Sequence, residues 1–498
     1  MTPTPTRWPL PCGLCGDYRH AGMALVDTHQ CLVACPACLL VDDDDPVCDA
    51  SGAWEGLRPY QREGVSRLAG SRGLLLADDP GLGKTAQALR ALVARGHPPA
   101  IAVVMPSLRR QWAGEAARWS PGYRVQVWDG GWCSMPQDGS LLVCGYTQAR
   151  SADWRVARGT VVVLDEAQAI KNPRAKQARG VSALCALPEV AAVWLLTATP
   201  AYGHVAEAWQ VLMAAGLGRQ LAPTRWAAEV SPEATMRREL ERVMLRRRIR
   251  DVANDLPELE IVQRRVELPA EALHSLDQES RRTVARARLR SERRAASDTP
   301  GDTESWWDEA AEEEAERMAQ ALSDSDVADA LAALAEGSEA PLATLRKAVA
   351  VAKIPAAHAL AAEVEDTGEP VVVFSAHRAP AIAMGARPGW EALPGGLGEA
   401  RKQELVDRFA RGELRGLGGT IGAMGTGTDG LHRVCRRGIF VDRDWTPALN
   451  EQARGRLLRL GSVGGGVLIW ELIADHAADE IVTDALSRKA RHLAAVGL

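Results

Sequence analysis

Short apolar runs alternate with longer helical patterns from residue 51 to about residue 260. The apolar runs each span four or five residues, namely 73–77, 101–105, 141–144, 161–164 and 193–196. Strands that are buried on both faces of a parallel sheet have this continuous apolar pattern. Because strand and helix patterns alternate, we expect a doubly wound α/β domain that binds its ligands at the carboxyl ends of the strands.

The pattern changes beyond this first domain. Residues 265–345 are rich in Ala, Glu and Arg, with a basic stretch followed by an acidic one, which predicts exposed helices with a solvated acidic face. From residue 346 the strand-like runs return, which indicates a second, smaller α/β domain. We therefore predict a cysteine-rich module (1–50), a first lobe (51–264), a helical insertion (265–345) and a second lobe (346–498).

Composition is that of a globular protein. The 498 residues are 46% hydrophobic and 25% charged, with a net charge of -5, which excludes collagen-like, wholly disordered and membrane classes. The near-neutral charge excludes a polybasic coat protein but allows a local basic groove. No run of apolar residues is long enough to span a membrane, and Met1–Leu10 lacks the apolar centre of a secretory signal. We expect a cytoplasmic protein.

Six of the ten cysteines lie in the first 48 residues. Two Cys-x2-Cys pairs, separated by 19 residues, have the spacing of a tetrahedral Zn²⁺ site, and their members are Cys12, Cys15, Cys35 and Cys38. The alternative or second-site ligands are Cys31, Cys48, His20 and His29. Free buried thiols are the other interpretation. A metal here would be structural, and the module would contact either DNA or a protein partner.

The strongest chemical signal is Asp-Asp-Pro-Gly-Leu-Gly-Lys-Thr at residues 78–85, between a strand and a helix. Gly81 and Gly83 permit a loop whose N–H groups point at phosphates, and the helix N-terminus favours anions. Lys84 would reach the outer phosphates and Thr85 would hold Mg²⁺. Asp78 stands where the strict pattern has glycine, so only the Gly-x-Gly-Lys-Thr core matches.

A second acidic element follows the apolar run 161–164. Asp165 and Glu166 would stand at the carboxyl end of a strand that neighbours the phosphate loop. Asp165 would bind Mg²⁺, and Glu166 would orient and deprotonate the attacking water. A strand that simply ends in solvent-facing acids is the alternative interpretation.

Near the C-terminus, Gln452, Arg456 and Arg459 are spaced i, i+4 and i+7, so on a helix they would share one face. Arginines placed in this way could stabilise the phosphoryl group during its transfer. In a chain this rich in arginine, a solvated helix face is the alternative.

In this order the motifs resemble those of Swi/Snf-type ATPases, a branch of the superfamily-two helicase-like motors, from Leu57 to Val482. Gln61 stands at the position of the family's adenine-recognising glutamine, and Asp78 is also the family's residue before the phosphate loop. Met105–Leu108 with Trp112 resembles the family's first DNA-contacting motif, and further matches are Leu196–Pro200, Met244–Arg247 and Trp445–Ala448. Ser462 stands where the family has glutamine, and the second lobe is short.

The resemblance implies an α/β fold with two RecA-like parallel-sheet lobes in tandem. It also implies ATP between the lobes, with Gln61 and Gln452 among its contacts, and double-stranded DNA across both lobes. Candidate DNA contacts are Ser107, Lys171, Thr197 and Thr199. We therefore predict an ATP- and Mg²⁺-dependent translocase on double-stranded DNA. A strand-separating DNA or RNA helicase and a nucleotide-binding adaptor without motor activity are the alternatives.

Overall fold

The computed structural model describes residues 24–27, 32–34, 54–131, 133–150, 153–201, 205–217, 233–252, 257–295, 308–337, 342–425, 430–459, 462, 464–495 and 497. The chain divides into two compact units, Met1–Asn254 with His492–Leu498, and Asp255–Arg491. Within the cysteine-rich module, two short strands, β1 (Ala24–Asp27) and β2 (Leu32–Ala34), pair in antiparallel fashion. In the described part of the chain, no helix has the length and apolarity to cross a membrane.

The first unit contains a seven-stranded sheet in which every pairing is parallel, in the order β5-β6-β4-β7-β8-β3-β9. Its strands are β3 (Gly73–Leu76), β4 (Ala100–Val104), β5 (Arg124–Trp128), β6 (Ser140–Gly145), β7 (Thr160–Asp165), β8 (Val190–Leu196) and β9 (Met244–Leu245). The helices are α1 (Pro59–Gly70), α2 (Lys84–Ala94), α3 (Arg109–Trp119), α4 (Tyr146–Ala149), α5 (Lys176–Cys185), α6 (Val205–Ala214), α7 (Glu233–Val243) and α8 (Ile249–Val252).

The central strands of this sheet are buried on both faces. Along β4, Ile101 and Val103 pack into one hydrophobic cluster, whereas Ala102 and Val104 pack into a second cluster on the other face. Because alternate side chains of a strand point to opposite faces, a continuous apolar run can fill two cores. All five strands predicted from apolar runs are present, and the predicted parallel α/β architecture is confirmed.

The second unit has a six-stranded sheet, again with only parallel pairings, in the order β10-β15-β14-β11-β13-β12. Its strands are β10 (Leu259–Val266), β11 (Val371–Ser375), β12 (Trp390–Leu393), β13 (Gly416–Thr420), β14 (Arg437–Phe440) and β15 (Val467–Ala474). The helices are α9 (Ala270–Ala295), α10 (Glu309–Ala321), α11 (Asp324–Gly337), α12 (Ala343–Ala352), α13 (Ile354–Glu365), α14 (Arg378–Gly385), α15 (Glu399–Ala410), α16 (Ile421–Gly425), α17 (Pro447–Arg454) and α18 (Ala477–Ala495).

Strand β13 is not evident from sequence, because three of its five residues are glycines. These glycines allow neighbouring elements to approach very closely. A β-carbon on Gly418 would lie 2.6 Å from the carbonyl oxygen of Ala381, and one on Gly416 would lie 2.4 Å from the indole of Trp390. The glycines of β13 thus let a helix and an indole pack closely on the strand. For the same reason, β13 lacks the run of apolar side chains by which a buried strand is usually recognised in a sequence.

The helices predicted as a separate insertion pack within the second unit. Leu276 and Val284 of α9 belong to the same hydrophobic cluster as Val371 and Ile439 of the sheet. Strand β10, which precedes these helices, lies at the edge of the same sheet beside β15. The second compact unit starts at Asp255 and includes these helices.

The sequence predicted a solvated acidic face for the acidic run of α10. In the structure, three glutamates of this run instead form ion pairs with arginines of α9. Glu312 pairs with Arg286, Glu314 with Arg293 at 3.0 Å, and Glu316 with Arg282 at 2.8 Å. The basic and acidic stretches thus face each other across α9 and α10. Sequence analysis treated the two stretches separately because their pairing depends on how the helices fold back on each other.

Candidate nucleotide-binding site

The loop between β3 and α2 has the geometry of a phosphate cradle. Gly81 and Gly83 have positive φ angles of 87° and 75°, which only glycine adopts readily. Gly83 also precedes the first residue of α2, Lys84, so the glycine-rich loop leads directly into a helix N-terminus. The unpaired N–H groups and the dipole of that terminus favour an anion.

Lys84 is held over the inside of this loop. Its Nζ donates hydrogen bonds to the carbonyl oxygens of Asp78 at 2.6 Å and Asp79 at 3.2 Å. Burial lowers the pKa of Lys84, while the charges of Asp78, Glu166 and Asp165 act in the opposite direction. Lys84, Asp165 and Glu166 all belong to the first unit, where the phosphate loop follows β3 and both carboxylates stand at the end of β7 in the same parallel sheet.

Gln61 on α1 lies against the loop. Its Nε2 donates to the carbonyl of Leu82 at 3.1 Å, and its Oε1 accepts the N–H of Arg58 at 2.9 Å. A β-carbon on Gly83 would lie only 2.5 Å from Gln61 Nε2. This contact gives Gly83 a second reason to be glycine and places Gln61 beside the candidate nucleotide site.

Asp165 is the last residue of β7, and Glu166 follows it in the left-handed conformation, with φ of 51°. Strand β8 lies between β7 and β3, so the prediction that the acidic strand neighbours the phosphate-loop strand was wrong by one position. Both carboxylates nevertheless act electrostatically on Lys84, because parallel strands end at the same edge of the sheet.

The carboxylate of Asp165 is buried and oriented by an indole. Trp112 on α3 donates from Nε1 to Asp165 Oδ2 at 2.7 Å, and the Tyr146 hydroxyl donates to the carbonyl oxygen of Asp165 at 2.8 Å. Burial and the neighbouring Glu166 raise the pKa of Asp165 to about 7, whereas the hydrogen bond from Trp112 and the charge of Lys84 lower it. Glu166 accepts a hydrogen bond from Gln168 Nε2 at 2.6 Å.

Two residues of the site carry oxygens that suit Mg²⁺ bound together with a nucleotide. The described residues contain no group of three or more His, Cys, Asp or Glu that could hold a metal ion. Mg²⁺ in nucleotide enzymes is bound by one or two protein oxygens together with substrate phosphates. Thr85, in the first turn of α2, and Asp165, at the end of β7, are protein oxygens of that kind.

Residues that sequence analysis did not assign to the site complete it. Trp112 was placed in a DNA-contacting motif, and Tyr146, Gln87 and Arg247 were given no role. Arg247 forms a buried ion pair with Asp78, with 2.6 Å between Nη2 and Oδ2, and Gln87 Nε2 donates to the same Oδ2 at 3.0 Å. The signal that could have identified these partners is Asp78 itself, because a carboxylate directly after an apolar strand needs donors when it is buried.

The four candidate DNA contacts differ in exposure. Ser107 is exposed, and Lys171 is half-exposed and paired with Glu207 at 3.2 Å. Thr197 is fully buried, and its hydroxyl oxygen accepts the N–H of Thr199 at 2.9 Å. This conformation leaves Thr197 no surface for a phosphate, so it does not support Thr197 as a DNA contact. Thr199 is also buried, and its hydroxyl oxygen has no hydrogen-bond partner within the described ranges.

In the second unit, the prediction of one shared helix face is wrong. Helix α17 ends at Arg454, so Arg456 and Arg459 lie in the turns beyond it. Arg456 donates to the carbonyl oxygen of Gly425, and Gln452 Oε1 lies 3.5 Å from the position of a β-carbon on Gly425. Arg459 Nε instead donates to the carbonyl of Gly455 at 3.1 Å.

The turn after α17 is closed by Ser462. Its hydroxyl donates to the carbonyl of Arg459 at 2.6 Å and accepts the N–H of Arg459 at 2.9 Å. In the sequence, this serine was only a departure from the family pattern.

The predicted zinc ligands Cys12, Cys15, Cys35 and Cys38, with the alternatives Cys31, Cys48, His20 and His29, lie outside the described residues.

Comparison with known families gives a match that begins in the first unit and extends into the second. Residues 60–301 match the SNF2-related domain. The DNA excision repair protein ERCC-6-like of Danio rerio is 32% identical over 199 residues, which are 35% of this chain and 13% of that protein. A SWI/SNF-related matrix-associated actin-dependent regulator of chromatin, subfamily A-like protein 1, from Xenopus tropicalis is 36% identical over 165 residues, or 32% of this chain and 17% of that protein.

The similarity thus covers less than a fifth of the length of either relative. Among solved structures, the Sulfolobus solfataricus SWI2/SNF2 ATPase core in complex with dsDNA is 19% identical, covering 84% of this chain and 88% of that one at a TM-score of 0.36. The Pyrococcus furiosus Hef helicase domain is 16% identical, covering 86% and 97% at a TM-score of 0.46.

Proposed function

We propose that the chain is a DNA-dependent ATPase that moves along double-stranded DNA without separating its strands, and the match of residues 60–301 to the SNF2-related domain supports this proposal. The observation that carries the proposal is the position of Lys84, which follows a glycine-rich loop at the start of α2, in the parallel sheet whose strand β7 ends at Asp165. Relatives named for DNA excision repair and for chromatin regulation support DNA as the polymer.

In the proposed mechanism the first unit binds the triphosphate. The N–H groups of the loop and Lys84 hold the phosphates, and Gln61 lies against the same loop. Thr85 and Asp165 would hold Mg²⁺, which neutralises charge on the phosphates when it is bound. Glu166 would orient the attacking water and accept its proton.

We assign the remaining positive charge to the second unit. Arg456 and Arg459 would stabilise the phosphoryl group as it is transferred, and Gln452 would contact the nucleotide. Arginine in this role contributes several orders of magnitude to the rate. Repeated cycles of ATP binding and hydrolysis would then alternate grip and release of the DNA backbone.

The grip on DNA should be independent of sequence and sensitive to salt, because contacts to phosphates release counterions without reading bases. Ser107 and Lys171 are the exposed candidates for such contacts in the first unit.

The cysteine-rich module is a separate proposal, in which Cys12, Cys15, Cys35 and Cys38 bind one structural Zn²⁺. Elemental analysis that finds far less than one Zn²⁺ per chain would refute it.

The decisive experiment is steady-state ATP hydrolysis without polymer and then with duplex DNA, single-stranded DNA and RNA. We expect duplex DNA to stimulate turnover most, and we expect Lys84→Ala and Glu166→Gln to abolish it. Absence of turnover with every polymer would favour the nucleotide-binding adaptor. Robust displacement of a strand from a blunt duplex by the protein alone would favour the helicase.

A further inference from the structure

A short segment of the first unit runs alongside the phosphate loop. After α7, the chain forms β9 beside β3 and continues past the loop to α8. The N–H of Ala77 donates to the carbonyl of Leu245 at 2.7 Å, and the N–H of Asp79 donates to the carbonyl of Arg247 at 3.0 Å. We call residues 245–249 the strap, because backbone hydrogen bonds join them to the residues that precede Gly81.

Side chains reinforce these bonds from the loop. The fully buried carboxylate of Asp78 accepts hydrogen bonds from Arg247 through its backbone N at 3.1 Å, Nε at 3.0 Å and Nη2 at 2.6 Å. The carboxylate of Asp79 accepts the N–H of Ile249 at 2.9 Å. Each of the two aspartates therefore holds one position of the strap.

Lys84 bonds to the same two residues through their backbone. Its Nζ donates to the carbonyl oxygens of Asp78 and Asp79, whose side chains hold Arg247 and Ile249. These two bonds use two of the three donors of the ammonium group, so Lys84 must give up at least one of them when it contacts two phosphate oxygens. The position of Lys84 is thus mechanically connected to the strap through two residues.

We propose that Asp78 and Asp79 are positioning residues that transmit nucleotide occupancy from Lys84 to the strap, so that nucleotide binding loosens residues 247–249. The strap is the last part of the first unit before the chain enters the second unit at Asp255. A change in its stability is a means by which the phosphate site can act on the connection between the units. This inference rests on the proposed binding of nucleotide by the loop.

Hydrogen exchange of the full-length protein tests the inference, with ADP and Mg²⁺ as the probe. We expect the amides of Arg247 and Ile249 to exchange at least about threefold faster with nucleotide, while those in the first turn of α2 become slower because they gain a ligand. Faster exchange in the strap together with slower exchange in the first turn of α2 distinguishes transmission from a general ordering of the protein by the ligand. Unchanged or slower exchange at Arg247 and Ile249 would overturn the inference.

Variants test the same connection without nucleotide. Lys84→Ala removes the bonds to both carbonyls, so it should speed exchange at 247–249, whereas Lys171→Ala, a lysine of the same unit paired elsewhere, should not. Asp79→Ala should make the Ile249 amide fast regardless of nucleotide, and Asp79→Asn, which keeps an acceptor oxygen, should restore its protection. If Lys84→Ala leaves the strap unchanged, the connection does not exist.

Binding of a fluorescent ADP analogue, measured on the same samples, separates this inference from the proposed function. Tight binding with an unresponsive strap overturns only the inference. Failure of the analogue to bind overturns both, because the strap would then have no signal to transmit.

Discussion

The indole nitrogen of Trp112 lies 2.7 Å from Oδ2 of Asp165, and Trp112 is almost fully buried. The hydrogen bond joins α3 to the end of β7, 53 residues further along the chain. It orients the carboxylate that we assign to Mg²⁺. A residue that resembles part of a DNA-contacting motif thus supports the nucleotide site.

Trp112→Phe should therefore impair ATP hydrolysis while keeping most of the packing. Loss of the donor leaves a buried carboxylate oxygen unsatisfied, at a cost of about 1–3 kcal/mol. We expect a lower melting temperature and a higher Mg²⁺ concentration for half-maximal turnover.

The matched control is Trp119→Phe on the same helix, because Trp119 donates to Glu115 at 2.8 Å and not to a catalytic carboxylate. This control should keep the wild-type dependence on Mg²⁺. Equal Mg²⁺ dependence in both variants would show that the Trp112 bond has no role in positioning Asp165.

Asp165→Asn should stabilise the nucleotide-free protein at high pH. Burial and Glu166 raise the pKa of Asp165 to about 7, so the folded state binds a proton that the unfolded state has released above its lower pKa. The free energy of unfolding therefore falls as the pH rises from the unfolded-state pKa of Asp165, 3.8, to its folded-state pKa of about 7. Asparagine avoids the buried charge, so the variant should melt at least about 2 °C above wild type at pH 8, in line with a gain near 1 kcal/mol.

At pH 5, where Asp165 is protonated in the folded state, this difference should be smaller. Differential scanning calorimetry without nucleotide or Mg²⁺ measures it directly. A gain that is equal at both pH values would mean that Asp165 is not the titrating group.

Substitutions of Arg454 and Arg456 should have different effects, the first on stability and the second on the rate of hydrolysis, although the two residues lie two positions apart. Arg454 forms a buried ion pair with Glu471, and the side chains are 14% and 3% exposed. Arg454→Ala removes one of two arginine partners of the buried Glu471, which keeps Arg443 at 3.3 Å, so the variant should lose about 1–3 kcal/mol of stability. Arg456→Ala should instead lower kcat by about a thousandfold, with little change in melting temperature or in ADP binding. Thermal unfolding and single-turnover hydrolysis together separate the two effects.

The ion pairs between α9 and α10 should contribute little individually. Arg282 and Glu316 meet at 2.8 Å, but their side chains are 39% and 41% exposed. A double-mutant cycle with Arg282→Ala and Glu316→Ala should give a coupling energy of about 0.2–1 kcal/mol. This coupling should fall in 1 M NaCl because salt screens exposed charges. A coupling above this range, or one that salt does not change, would contradict a screened surface pair.

The local chemistry of the first unit was readable from sequence. Apolar runs that end in Asp165 or lead into Gly81 and Gly83 predict strands followed by site residues, because burial on two faces requires continuous apolar side chains. A lysine in a glycine-rich loop predicts a phosphate site, since backbone geometry and helix polarity are local properties.

The tertiary structure alone decided which distant residues complete that site. Trp112 with Asp165 and Arg247 with Asp78 are separated by 53 and 169 residues, and neither pair has a local signature. Buried carboxylates need donors, but which donors reach them depends on the order of strands in the sheet. The end of α17 at Arg454 likewise depends on the packing around Gly425 and Glu471, so the arginine spacing alone could not show where the helix stops.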